Sequence, residues 1–117
     1  MRLEAGRLLL DGAVEMTTRP GSPAGCLGIQ GALAAGDSGR TACDVLTAWR
    51  NEGHSRIHDR FQRAVDEGDL PPGTDPGLLA RYVMTVANGI AVQAAGGTGR
   101  DDLQKVADTA LRNWPPA

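Results

Sequence analysis

The chain has 117 residues, 41% of them apolar and 22% charged, with a formal net charge of −2. That length suits one domain around one hydrophobic core, and the composition excludes wholesale disorder. The lack of a basic excess argues against a self-sufficient nucleic-acid-binding domain, and two cysteines, Cys26 and Cys43, fall short of a disulfide scaffold.

No basic-then-apolar leader opens the chain, so the expected setting is a reducing cytoplasm. The longest apolar stretch, residues 83–95, is interrupted by Thr85, Asn88 and Gln93. It is shorter than the ~20 residues a bilayer span needs, and no membrane partner is expected.

Glycine- and proline-rich breaks at residues 19–23, 36–39, 69–74 and 96–99, with Pro115-Pro116 at the end, leave five segments. None shows the strict alternation of a strand. The expectation is an all-α, single-domain antiparallel bundle of about five helices.

The first segment, residues 2–16, sets Leu3, Leu10, Ala13 and Val14 at helical spacing. The second starts with Ser22 as N-cap and Pro23 at the first helical position, and runs to about residue 35. Near its start stands Cys26, with Gln30 one turn further on the same face. A free cysteine in such a setting reads as a small apolar wall before it reads as a reagent.

The third segment, residues 39–68, is the longest. At about 100° per residue, Cys43, Leu46, Trp49, Ile57, Phe61, Ala64 and Val65 share one arc. Arg50, His54 and Arg60 project from that arc, where they either reach water or line a polar cavity. His54 and His58 stand at i, i+4, a spacing able to hold a metal, but Ser55 occupies the place of the glutamate in the zinc hydrolase motif. No metal and no cofactor are expected.

In the fourth segment Asp75 is the N-cap, Pro76 follows, and Gly96-Gly97 ends the helix. This helix is apolar nearly all round. Leu79, Tyr82, Val86 and Ile90 are bulky enough for a core, whereas Ala80, Met84, Ala87 and Ala91 form a mostly small face suited to the same helix of a second copy. The fifth segment has Thr98 as N-cap with Asp101 three residues on, and a stripe of Leu103, Val106, Ala107, Ala110, Leu111 and Trp114.

The order of several short motifs then matters: Gly25-Cys26-Leu27, Ala64-Val65-Asp66-Glu67-Gly68-Asp69-Leu70-Pro71, Thr74-Asp75-Pro76, Leu78-Leu79-Ala80, Asn88-Gly89-Ile90-Ala91-Val92-Gln93-Ala94 and Arg100-Asp101-Asp102-Leu103. Together they resemble the C-terminal regulatory domain of TetR-family transcriptional regulators over residues 20–115. The resemblance implies a small-molecule effector among the helices and a homodimer through the last two helices. It divides the chain into a residual N-terminal helix and turn, 1–19, and an effector-binding and dimerisation domain, 20–117. The family's N-terminal helix-turn-helix has no counterpart here, so this chain is not expected to bind nucleic acid directly or to be an enzyme.

Helical faces place the effector against Cys26, Gln30, Trp49, Arg50, His54, Ile57, Phe61, Tyr82 and Val86. The expected dimer interface comprises Ala80, Met84, Ala87, Ala91, Leu103, Val106, Ala107, Ala110 and Leu111. Two other readings stay open: a small helical metal-binding protein or enzyme using His54, His58 and a cysteine, and a ligand-free structural dimerisation module.

Overall fold

Each described helix ends where the sequence supplies a stop. The computed structural model describes residues 4–19 and 40–114, and within them holds α1 (Glu4–Thr17), α2 (Arg40–Asp66), α3 (Pro76–Ala95) and α4 (Arg100–Arg112), with no strand. The segment 22–35, with Cys26 and Gln30, lies outside the described residues. So do Leu3 and the side chains of Cys43, Leu46 and Trp49 on α2.

α2 closes on Gly68, whose φ of 80° lies in the left-handed region that favours glycine. The Gly68 amide donates to the Val65 carbonyl and the Asp69 amide to that of Ala64, the paired bonds of a Schellman stop, and Leu70 folds back into the core. α3 begins as the sequence predicts. Asp75 accepts from the amides of Gly77 and Leu78 at 3.0 and 3.1 Å, with Pro76 in the first turn.

α3 ends in a second Schellman stop, with Gly97 at φ 102° donating to Ala94 and Thr98 to the Gln93 carbonyl. Thr98 is thereby committed to the end of α3 and does not cap α4. Gly99 stands at that N-cap with no side-chain hydrogen bond, contrary to the capping box expected from Thr98 and Asp101.

α3 is the central element and packs against α1, α2 and α4, while α1 also lies along α4. The core takes Leu10 and Val14 from α1, and Phe61 and Ala64 from α2. It takes Leu79, Ala80, Val83, Ile90 and Ala94 from α3, and Leu103, Ala107, Ala110 and Leu111 from α4. α1, set apart as a residual helix in the sequence reading, thus supplies two fully buried side chains to that core.

α3 as folded has 20 residues and is long and apolar enough to cross a bilayer by length and composition. It gains this length over the stretch 83–95 by including the turn from Pro76 onward. A core helix passes the same test, and one side of α3 is core.

Candidate functional site

α2 carries the polar group that the core leaves unsatisfied. His54 Nε2 is buried and has no hydrogen-bond partner among the described residues. On the same helix Ile57 packs against the core and Phe61 lies inside it. Arg50 donates to Thr47 Oγ1 at 3.2 Å on its own helix, and Arg60 is exposed. Of the three polar residues predicted on this arc, His54 alone is turned inward and unpaired.

His58 goes elsewhere. Its Nδ1 lies 3.3 Å from Asp59 Oδ1, and its Cδ2 lies beside Gly77, within 3.7 Å of where a β-carbon there would sit. Among the described residues no group of three or more His, Cys, Asp or Glu side chains could hold a metal ion.

The contact of His58 with Gly77 identifies the side of α3 that faces α2. Met84 and Ala91 lie seven and fourteen residues beyond Gly77, hence on that same face. Ala80 and Ala91 are buried within the single chain, and Met84 and Ala87 are half-buried. On α4, Leu103, Ala107, Ala110 and Leu111 are likewise inside the core. Of the residues expected at the dimer interface, Val106 alone is substantially exposed.

Tyr82 and Val86, expected at the effector site, lie on the opposite side of α3 from Ala80 and Ala91. The Tyr82 hydroxyl donates to the Ala110 carbonyl at 3.4 Å and so ties α3 to α4. Both residues line an outward groove of about 380 Å³ with Lys105, Val106, Thr109, Ala110 and Asn113. A second groove of about 360 Å³ continues past Val86 and Val106 along Gly89, Ile90, Gln93, Thr98, Asp102 and Leu103.

Leu78 is 63% exposed, Val106 48% and Val92 40%. On a helical wheel Leu78, Thr85, Gly89 and Val92 fall within about 60° of one another, with Tyr82, Val86 and Gln93 flanking them. Together with Val106 they form one outward apolar strip across α3 and α4. The residues that line the two grooves beside it include 82-86-89-93 on α3 and 102-106-109-113 on α4, the 4-3-4 rhythm of a helix seam. That rhythm was readable in the sequence. It was masked because Gly89, Gln93, Asp102 and Asn113 do not register as apolar.

Comparison with known proteins bears on this geometry. Residues 3–111 match the family model described as tetracyclin repressor-like, C-terminal domain, a span that includes α1. The HTH-type transcriptional repressor ComR of Escherichia coli K12 is 28% identical over 100 residues, covering 84% of this chain and 47% of that protein.

Among solved structures, a cysteine-substituted variant of the TetR family transcriptional regulator CifR, in complex with 26-base-pair operator DNA, superposes with a TM-score of 0.87 at 34% identity. The match covers 97% of this chain and 59% of that one. A TetR regulator from Rhodococcus sp. RHA1 gives a TM-score of 0.74 at 38% identity, over 99% of this chain and 67% of that one. The chain spans about half the length of the curated relative it matches.

Proposed function

Since this chain belongs to the tetracyclin repressor-like family, as its C-terminal domain, we propose that it binds a small-molecule effector beneath α2 and pairs with a second copy through the outward strip of α3 and α4. Pairing rests on one observation: exposed Val106 lines two open grooves with Val86, and Leu78 and Val92 are exposed at neighbouring angles on α3. A two-fold axis covers such a strip with the same strip of another chain. Two α3–α4 hairpins packed this way make a four-helix bundle.

The effector site takes the inner face of α2, with His54, Ile57 and Phe61, and the face of α3 marked by Met84 and Ala91. Trp49, Cys26 and Gln30 are its further candidate walls. His54 Nε2 supplies its polar contact, since a buried ring nitrogen without a partner costs about 1–3 kcal/mol until something bonds to it. Tyr82 and Val86 move from the effector site to the pairing strip. Ala80, Ala91, Leu103, Ala107, Ala110 and Leu111 move from the pairing surface to the core that supports it.

A ligand that prefers one arrangement of α2 over another shifts the population of arrangements, and only that difference in affinity regulates anything. In a longer regulator that carries a DNA-reading domain, the shift changes operator binding. Two measurements test the reading. Sedimentation should give two chains per particle for the native protein and one for Val106→Glu; an unchanged dimer refutes the strip. A thermal-shift screen of chemically diverse small molecules should return hits that His54→Leu weakens. A ligand at about 100 times its Kd adds ~2.7 kcal/mol, and a screen without hits leaves a ligand-free pairing module instead.

A further inference from the structure

α1 and α4 are joined by polar side chains as well as by packing. Arg7 Nη1 lies 3.4 Å from Asp108 Oδ1, and Gln104 Nε2 donates to Asp11 at 2.8 Å and to Asp108 at 3.2 Å. At the other end of the joint, two charges stand on the wrong ends of their own helices. Glu15 lies in the last turn of α1, where the helix dipole disfavours an anion, and that turn holds no basic residue. Arg100 is the first residue of α4, where the dipole disfavours a cation; Asp101 and Asp102 of the same turn suit the dipole, but Gly99 before it supplies no cap.

The two misplacements meet, with Arg19 Nε a second and longer contact of Glu15 at 3.8 Å. Arg100 Nη1 reaches Glu15 Oε2 at 3.2 Å. Its Nε donates to Thr18 Oγ1 at 3.0 Å and its Nη2 to the Thr18 carbonyl at 3.3 Å. The Thr18 hydroxyl spends its proton on the Val14 carbonyl at 2.6 Å, which leaves its lone pairs for the guanidinium. One side chain from α4 therefore caps the C-terminal end of α1. A carboxylate from α1 neutralises the cation at the uncapped start of α4.

We infer that Arg100 couples the two helix ends, so that the last turn of α1 and the first turn of α4 form and fray together. Displacement of α1 is then transmitted to the outward groove, because Asp102 and Leu103 of that same first turn line its wall. An exposed ion pair is weak alone. Here three contacts converge on one guanidinium, and the dipoles of both helices act with them. The consequence for pairing rests on the function proposed above, whereas the coupling itself does not.

Hydrogen exchange read by mass spectrometry tests this in the native chain and in Arg100→Ala, each also in the Val106→Glu background. Exchange should quicken about threefold to fivefold at residues 15–18 and, to a similar degree, at residues 103–106, with residues 57–66 of α2 unmoved. Arg100→Lys keeps the charge without the planar fork and should give an intermediate rise. Glu15→Gln should give a smaller rise in both segments, and raising salt from about 0.05 to 0.5 M should move the native chain toward the variant. The lysine and glutamine variants carry the test if Arg100→Ala folds poorly. Faster exchange in only one segment, or in neither, overturns the inference. So does an effect that vanishes once Val106→Glu is present, since it then acts through pairing.

Discussion

The two faces of α3 both carry apolar residues and differ in what covers them. The inner face, with Leu79, Ala80, Val83, Ile90, Ala91 and Ala94, is closed by α1, α2 and α4. The outer face, with Leu78, Tyr82, Thr85, Val86, Gly89 and Val92, is left open beside Val106. Side-chain size does not separate them. Alanines are inside because neighbouring helices of the same chain approach closely there; Leu78 and Val92 stand exposed outside, with Tyr82 and Val86 half-covered by α4 between them and the core. Burial within one chain is what distinguishes the core face from the face proposed to pair.

Substitutions on the two sides should part company in what they disturb. Ile90→Ala on the inner face should cost about 2–5 kcal/mol in urea unfolding, since it opens a cavity in the core. Val106→Glu should weaken self-association roughly 30-fold, about 2 kcal/mol, by sedimentation. At monomeric concentrations its unfolding should shift by no more than about 0.5 kcal/mol. If Val106→Glu unfolds the single chain as badly as Ile90→Ala, the two faces are not distinct.

Asp75→Ala serves as a control that favours neither face. Losing the cap bonds to Gly77 and Leu78 should lower thermal stability by about 1 kcal/mol without altering the particle mass. Gly89→Ala gives the finest discrimination. A β-carbon there meets nothing within 4 Å in the single chain. Helix propensity should therefore stabilise the isolated monomer by up to about 1 kcal/mol. The same methyl stands in the strip, so dimer affinity should fall while monomer stability rises. A rise in both would move Gly89 out of the contact.

Much of the architecture was legible. The stops at Gly68 and Gly97, the cap at Asp75 and the stripe of α4 are all set by local backbone chemistry, which a sequence displays directly. What was lost needed three dimensions. Thr98 reads as a cap for the helix that follows, yet the stop of the helix before it uses the same residue first. Tyr82 and Val86 read as core because they are large; they do pack against the core, half-buried, and only the position of α4 leaves part of each in an open groove. Arg100 breaks the dipole rule on its own helix, and its reason lies at Thr18, 82 residues away along the chain. His54 shares the apolar arc with Arg50 and Arg60 in the sequence, and only the fold separates it from them as the one with a buried, unpartnered ring nitrogen among the described residues.

Trp114 sits just past the end of α4, with its ring 5.6 Å from that of Phe61 on α2 and tilted by 50°. The same indole lies 3.1–3.3 Å from where a β-carbon would stand at Gly6 on α1. It therefore touches two helices that a moving core would separate. The chain has two tryptophans, so Trp49→Phe leaves a single emitter wedged between α1 and α2. Its emission then becomes an optical gauge of their spacing, readable in a cuvette with no added dye.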